Sequence, residues 1–422
     1  MNIDIPGARR ALILATLAFA ANFSVWTIYI IVGLQLEDSL GLTSTELGLL
    51  FAAPMLTGAL LRIPVGFLCE RYSAKKLFVI QMLAVAPALF LLTQVESFAA
   101  YIGLGLWIGI SGVSFTIGIR YVTYWFDRNR QGTALGIFGA GNAGAAVNLV
   151  LAPLIVELWG WPMLGLSYGA GLILVAILFA LFAPNEEQSN IEAEPQPYKL
   201  VDLIRKSHIW RLGLYYYFVF GSFLALMLWL PQYYIHAYGL ELKQAMALTL
   251  LFVATSSMVR AIGGWFADKY GGRSVNWTVF WVCLICLFFL SYPPTTMTIH
   301  GVDSDVNLSI EINVWVFTAL IFIIGIAQGF GRASVYKLIH DNYPTQMGSV
   351  GGLVAALGAL GGCTLPVLFG LAVDLVGVHS ACFMVLYGVL AICMVAMFFA
   401  LKAERLRQRI DYANRNNFLE LD

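Results

Sequence analysis

Two arginines lie within apolar runs of this sequence, and the residues that follow them are spaced alike. Arg62 precedes Gly66 by four residues and Arg260 precedes Gly264 by four, and an acid and a base come four residues beyond each glycine. Two helical turns, about 11 Å, therefore separate each arginine from its charged cluster, which is far for a side chain that only reaches towards water. A guanidinium is a planar fork of donors that stays charged, so one from each stretch could bind a small planar oxyanion.

The composition predicts an integral membrane protein. Of the 422 residues, 60% are hydrophobic and 11% are charged, whereas soluble domains carry about 25% charged residues. A helix of about 20 apolar residues crosses a bilayer, and the sequence contains twelve such segments. The predicted spans, numbered 1 to 12, cover 11–33, 45–67, 76–94, 98–121, 132–156, 162–183, 210–232, 243–265, 275–293, 311–335, 347–371 and 379–401.

A polar stretch divides the spans into six and six. Residues 184–208 have the Pro, Glu and Gln content of a linker and are too few for a soluble domain. We predict an all-α integral membrane protein with two pseudo-symmetric six-helix bundles, at 1–183 and 209–401, joined by this linker and followed by a tail at 402–422. Parallel halves with a binding site between them at the midplane are typical of alternating-access transporters.

The charged residues predict the orientation of the chain. Basic residues gather on one side of the spans, whereas the loops on the other side are acidic and have Lys243 as their only basic residue. By the positive-inside rule, both termini and the linker are cytoplasmic. We expect a multi-pass protein of the inner (cytoplasmic) membrane, surrounded by the lipid bilayer, that acts as a monomer and has no nucleic-acid partner.

The residues around the two glycines form a motif that occurs once in each half. Residues 66–76 read G-x-x-x-E-R-x-S-x-K-K and residues 264–273 read G-x-x-x-D-K-x-G-x-R. The motif resembles the cytoplasmic loop signature of the major facilitator superfamily, although Ser73 replaces the usual Gly. We expect the glycines to permit close helix approach and the acids to pair with basic groups and latch one conformation. The latch residues are Gly66, Glu70, Arg71, Gly264, Asp268 and Lys269.

Spans 5 and 11 are rich in glycine. The run "GAGNAG" at 139–144 matches a dinucleotide-binding pattern, but that pattern requires a preceding strand and this run lies within a predicted span. Small residues at this density let helices pack closely and slide. Asn142 is the polar side chain among them that could face a ligand.

Further motifs narrow the resemblance to the nitrate/nitrite porter family. "GALLRIP" at 58–64, "GNAG" in span 5 and "GALGG" at 358–362, together with Arg260, are similar to markers of that family. In the family two arginines hold the anion, helped by aromatic residues and an asparagine, and such groups suit a flat, weakly hydrated anion. The resemblance implies a site made of Arg62, Arg260, Phe23, Phe115, Asn142, Tyr216 and Phe220. For each single aromatic residue, helix packing is an equally good explanation.

The resemblance implies an alternating-access carrier of nitrate, nitrite or both, which is not an enzyme and needs no cofactor or metal. No Asp, Glu or His lies in the middle of a predicted span, whereas a proton symporter usually has a buried titratable group. Exchange of nitrate for nitrite is therefore favoured. A proton-coupled nitrate symporter and a carrier of another small organic anion, such as formate, are the alternatives.

Span 10 departs from the family pattern. Arg332 stands where the resemblance implies Asn or another small polar residue, and Lys337 follows it. Lys337 is expected to extend towards the membrane surface. Arg332 lies deeper and could either extend an anion path or pair with a carbonyl. In span 9, Cys283 and Cys286 form a CxxC pair within an apolar run, which we interpret as lipid-facing or packing residues rather than a redox or metal site.

Overall fold

The computed structural model describes residues 6–126, 128–186, 203–300, 305–343 and 347–419. Within these ranges side chains are described except at 38, 70, 128–133, 261, 306, 347–349, 404–405 and 407–419. Twelve helical segments of the described chain are long and apolar enough to cross a membrane, which confirms the predicted number of spans. Most of the predicted linker, 187–202, lies outside the described residues.

The first half contains spans 1 to 6, of which four consist of two helices. The helices are Ala8–Trp26 and Tyr29–Leu40 in span 1, Ser44–Leu60 and Arg62–Arg71 in span 2, Ala74–Leu91 in span 3, Phe98–Ile108 and Ser114–Trp125 in span 4, Arg128–Gly139 and Gly144–Trp159 in span 5, and Pro162–Phe182 in span 6. Short 3-10 turns, Gly109–Val113 and Ala140–Ala143, join the two parts of spans 4 and 5.

The second half contains spans 7 to 12 and a short hairpin. Its helices are Ser207–Tyr216 and Ser222–Tyr238 in span 7, Leu242–Tyr270 in span 8, Gly272–Leu290 in span 9, Val314–Asn342 in span 10, Met347–Val376 in span 11 and Ala381–Leu419 in span 12. A π-helical turn, Tyr217–Gly221, joins the parts of span 7. Strands β1 (Thr295–His300) and β2 (Asp305–Ile310) pair antiparallel between spans 9 and 10.

The interruption of span 2 places Arg62 at the start of a helix. Pro64 has no N–H, so the carbonyl of Leu60 lacks the donor that a continuous helix would supply. The first helix accordingly ends at Leu60, and the next begins at Arg62. The arginine therefore leaves the backbone at an irregular point within the span.

Glycines bring span 4 against span 2 and span 11 against span 7. A Cβ atom added to Gly112 would lie 2.8 Å from the Cα of Gly58, and one added to Gly221 would lie 2.6 Å from the Cα of Gly361. Neither position has room for a side chain, so the backbones of these spans are in direct contact. The predicted close packing at the glycine-rich segment of span 11 is confirmed.

Unlike Gly112 and Gly221, the motif glycines Gly66 and Gly264 make no close helix contact, so the expectation of close approach is wrong at both. A Cβ atom on Gly264 would meet nothing within 4 Å, and the nearest atom to one on Gly66 is Cγ2 of Thr116 at 3.9 Å. The neighbouring Gly263 makes the close contact instead, since its Cβ would lie 2.7 Å from the Cα of Phe330. One position along a helix turns a residue by about 100°, so this contact lies on another face.

The six cysteines are buried and form no disulfide among themselves. Cys283 and Cys286 are 0% and 5% exposed and belong to the apolar core. Of the two interpretations, they are packing residues rather than lipid-facing ones.

We expect Gly221→Ala to destabilise the fold by about 1–3 kcal/mol, because the new methyl group overpacks the contact with span 11. Gly171→Ala in span 6 is the matched control, since a Cβ there meets nothing within 4 Å, and alanine in an open helical position stabilises by up to about 1 kcal/mol. Thermal unfolding of the detergent-purified proteins measures both. Equal melting temperatures for the two variants would contradict the packing.

Candidate anion-binding site

Arg62 is buried between the two halves of the chain. Its side chain is 6% exposed. Nε donates to the carbonyl of Gly112 in span 4 and Nη1 to that of Ala355 in span 11, each at 3.4 Å. Both hydrogen bonds are long, and neither neutralises the charge. The guanidinium therefore retains donor capacity for a ligand.

Arg260 approaches the same place from span 8. It is half-buried, and its Cζ lies 5.9 Å from the ring centre of Tyr336 in span 10. Tyr336 interacts electrostatically with both Arg62 and Arg260. Its ring packs edge-on against Tyr216 at 5.3 Å, and Tyr216 also interacts with Arg62. Arginines from opposite halves thus converge on one pair of tyrosines.

Three of the four predicted aromatic residues contact Arg62 or a member of the tyrosine pair Tyr216 and Tyr336. The ring of Phe115 lies 5.9 Å from the Cζ of Arg62. Tyr216 stacks on Phe220 with ring centres 5.1 Å apart. Phe23 is less direct, because it contacts Trp26 at 5.6 Å and the indole of Trp26 then lies 5.3 Å from the guanidinium.

Sequence reasoning missed Trp26 and Tyr336. Trp26 stands three residues after Phe23, nearly one helical turn, and its Nε1 donates to the carbonyl of Pro54 at 2.8 Å, which holds the ring in place. Tyr336 comes four residues after Arg332 and so follows it by one helical turn. Tyr336 could have been identified from the sequence, because it lies one helical turn after the buried Arg332.

Asn142 lies in the 3-10 turn that joins the two helices of span 5. This turn packs on spans 1 and 8, and span 8 carries Arg260. The side chain is 4% exposed and has no hydrogen-bond partner among the described residues, so its amide is available to a ligand. No hydrogen bond in the described chain joins it to Arg62 or Arg260.

Arg332 pairs with a carbonyl, which is one of the two alternatives that the sequence left open. It is fully buried, and Nη2 donates to the carbonyl and the hydroxyl of Ser256 at 2.5 and 2.7 Å. Its Cζ lies 4.2 Å from the ring centre of Phe223. Arg332 also interacts electrostatically with Arg260. A third positive charge therefore lies near those of Arg62 and Arg260.

The motif of the second half forms an ion pair within that half. Nζ of Lys337 lies 3.3 Å from Asp268 and 3.1 Å from Asp341. Lys337 extends towards the surface as expected, since the side chains of Asp268 and Asp341 that it pairs with are 70% and 44% exposed. Lys269 lies over the rings of Trp265 and Tyr270 at 5.1 and 5.3 Å. The side chain of Glu70, the corresponding acid of the first half, lies outside the described residues.

We call the end of the spans that carries Glu37, Glu157 and Glu241 the acidic face, and the opposite end the basic face. Polar contacts join the two halves at the acidic face. Glu37 in span 1 accepts from Gln232 at 2.6 Å and pairs with His236 at 3.1 Å. Burial and the neighbouring His236 lower the pKa of His379, whereas Glu37 opposes that shift.

A second cluster closes the acidic face between spans 2 and 11. The carboxylate of Asp374 accepts from the N–H groups of Ser44 and Thr45 at 3.2 and 2.8 Å, and from the Thr45 hydroxyl at 2.5 Å. It thus binds at the N-terminus of the span 2 helix, where a negative charge is favoured. The halves are held together at this face.

The chain is similar to known transporters along most of its length. A family model described as the Major Facilitator Superfamily matches residues 14–305 and 306–416. A "probable nitrate/nitrite antiporter" of Thermus thermophilus is 32% identical, over 93% of this chain and 91% of that protein. A "nitrite extrusion protein" of Bacillus subtilis is 28% identical, over 93% of this chain and 95% of that protein.

Solved structures share the fold. A bacterial homologue of the human lysosomal transporter Spinster, in an inward-facing and occupied conformation, has a TM-score of 0.73 and 15% sequence identity. The match covers 96% of this chain and 98% of that one. At this identity the likeness concerns the fold alone.

We expect Tyr336→Phe to weaken nitrate binding by about three- to tenfold, because it keeps the ring but removes a hydroxyl that interacts electrostatically with both arginines. Tyr217→Phe is the matched control, since the Tyr217 hydroxyl is bound to Thr364 at 2.6 Å, away from the arginines. Calorimetric titration of the purified proteins with nitrate gives both affinities. Unchanged affinity in Tyr336→Phe would remove that hydroxyl from the site.

Proposed function

Because the chain belongs to the nitrate/nitrite porter family of the major facilitator superfamily, we propose that it carries nitrate, nitrite or both across the cytoplasmic membrane by alternating access. It is a multi-pass membrane protein of a family of transporters, not enzymes. The proposal rests on one observation above all. Arg62 and Arg260 come from opposite halves and approach the same tyrosine, Tyr336.

Charge balance supports an anion as the cargo. Within the described part of the chain, neither Arg62 nor Arg260 forms an ion pair with a carboxylate. A buried guanidinium without a counter-ion is costly, and an anion between two of them removes part of that cost. The aromatic lining suits a monovalent planar anion better than a strongly hydrated one. Phe23, Phe115, Asn142, Tyr216 and Phe220 are assigned to this lining.

The same charges give a mechanism for the conformational change. The two arginines repel each other while the site is empty, and a bound anion screens that repulsion, so the halves close around it. The moving bodies are 1–183 and 209–401, with the termini and the linker 184–208 cytoplasmic. Opening at the acidic face must then break the contacts of Glu37 and Asp374 described above.

The charged motifs at the basic face are assigned to a conformational latch. Gly264, Asp268 and Lys269 belong to it in the second half, where Lys337 is the partner of Asp268. Gly66, Glu70 and Arg71 are the corresponding residues of the first half. Since Asp268 and Lys337 both lie in the second half, their pair orients span 8 against span 10, and spans 8 and 10 carry Arg260 and Tyr336.

We assign the coupling to exchange of nitrate for nitrite. The acids and histidines that contact neighbouring spans, such as Glu37 and Asp374, lie at the ends of spans rather than beside the arginines. A mobile proton would need a titratable group near the anion. Proton-coupled nitrate symport and carriage of formate or another small organic anion are the alternatives, and competition by nitrite, chlorate, formate and phosphate separates the substrates.

Arg62→Ala and Arg260→Lys should each reduce nitrate uptake into liposomes at least about a hundredfold. The first removes a buried charge, and the second keeps the charge but loses the fork of donors. Arg205→Lys, at an exposed position on the basic face, is the matched control and should transport normally. Near-normal uptake by both site variants would refute the two-arginine site.

A second experiment tests the coupling. Under exchange, an inward proton gradient alone does not accumulate nitrate in liposomes, whereas nitrite loaded inside drives nitrate uptake at equal pH. Arg62→Ala liposomes report any leak. Nitrate accumulation driven by the pH gradient without internal nitrite would favour the symporter.

A further inference from the structure

Span 8 carries Arg260 on an unbroken helix. Span 2 is interrupted next to Arg62, whereas the helix Leu242–Tyr270 runs continuously through Arg260. In such a helix the N–H of each residue donates to the carbonyl four residues earlier, so the carbonyl of Ser256 begins the turn that ends at Arg260. The direction in which Arg260 leaves span 8 therefore depends on the position of this turn.

Span 10 packs against this turn and bonds to it. Nη2 of Arg332 donates to the carbonyl of Ser256 at 2.5 Å and to its hydroxyl at 2.7 Å. A Cβ atom added to Gly329 would lie 2.8 Å from the Ser256 carbonyl oxygen and 3.5 Å from the backbone nitrogen of Arg260. The backbone of span 10 thus lies directly against the turn, and Arg332 is the side chain that fastens the two spans there.

Contacts with spans 7 and 10 fix the position of Arg332 itself. Its Cζ lies 4.2 Å from the ring centre of Phe223 in span 7. Its Nε donates to the carbonyl of Gln328 at 3.4 Å, and the side chain of Gln328 donates to the hydroxyl of Ser222 in span 7 at 2.7 Å. The guanidinium therefore connects span 8 with spans 7 and 10 at one point.

The charge of Arg332 has no carboxylate partner within the described part of the chain. Arg332 is fully buried, its Nη1 forms no hydrogen bond there, and its neighbours are carbonyls, a hydroxyl and an aromatic ring. A buried charge of this kind costs free energy, and an apolar side chain of similar volume is often as stabilising or more so. Stability of the fold alone therefore does not account for an arginine at this position.

Arg332 also interacts with the groups of the central site. It interacts electrostatically with Arg260 and with Tyr216, and Tyr216 interacts with Arg62 as well. Tyr336, which interacts with both site arginines, lies one helical turn after Arg332. The charge of Arg332 therefore adds to the positive potential at the place that we assign to the anion.

We propose that Arg332 is a positioning residue for Arg260 and strengthens anion binding through it. This inference rests on the proposed two-arginine site. Arg332 holds the turn that begins at Ser256, so that Arg260 stays directed towards the interface between the halves, and its charge raises the affinity of the site for a monovalent anion. Arg332 does not contact the anion itself, because spans 7, 8 and 10 enclose its guanidinium.

Arg332→Met separates this role from a structural one, because it keeps the volume but removes the charge and the donors. We expect nitrate affinity to fall about tenfold, the effect of one nearby charge at the effective dielectric constant of a protein. The melting temperature of the nitrate-free protein should not fall, because a buried charge is lost. Calorimetric titration with nitrate and thermal unfolding of the full-length protein in detergent measure the two. Unchanged affinity would overturn the proposal, and so would a lower melting temperature.

Tyr234→Phe is the matched control for a buried contact between spans 7 and 10. The hydroxyl of Tyr234 lies 3.0 Å from that of Thr318, near the acidic face and away from the arginines. Losing this hydrogen bond should lower the melting temperature and leave the nitrate affinity unchanged. If Tyr234→Phe and Arg332→Met lost the same affinity, any weakened contact between these spans would have this effect, which contradicts a specific role of Arg332.

Lysine variants distinguish positioning from direct contact with the anion, and they keep a charge if Arg332→Met does not fold. Arg332→Lys retains a donor for Ser256, so its nitrate affinity should stay within about threefold of the unaltered protein, whereas Arg260→Lys loses its fork of donors and should bind at least about tenfold more weakly. An equal loss in the two lysine variants would place Arg332 in the site itself and overturn the positioning role.

The same titrations separate a failure of this inference from a failure of the proposed function. Normal nitrate affinity in both Arg260→Lys and Arg62→Ala would refute the two-arginine site, and this inference with it. Weakened binding in those two variants together with unchanged affinity in Arg332→Met would overturn this inference alone.

Discussion

Two guanidinium groups that pair with no carboxylate among the described residues constrain the rest of this structure. Around Arg62 and Arg260 the described residues provide carbonyls, phenols and aromatic rings instead of acids. Such groups ease the burial of a cation without cancelling its charge. A fixed acid at the same place would compete with the cargo, so the positive charge must be balanced by an anion that can leave.

The backbone of the two halves brings this charge to their interface. Gly112 packs on span 2 so closely that its own carbonyl becomes a neighbour of Arg62, and the carbonyl of Ala355 reaches the same guanidinium from the other half. A relative movement of the halves therefore changes the surroundings of this arginine directly. The contacts of Asp374 with span 2 close the other end of the same pair of spans.

The halves share a motif but differ in what surrounds it. In the second half Asp268 is paired with Lys337, and the fully buried Arg332 stands behind Arg260.

The sequence by itself determined the class of protein, the number of spans, the two arginines and the family. These follow from local properties, since hydropathy, charge and motif spacing act over one helix at a time. Only the tertiary structure decided that Tyr336 and Trp26 join the site, that Arg332 pairs with a carbonyl, and that Gly264 makes no close contact. Such contacts depend on how far each helix is rotated and where it crosses a neighbour that lies far away in the chain, and no local pattern encodes those angles.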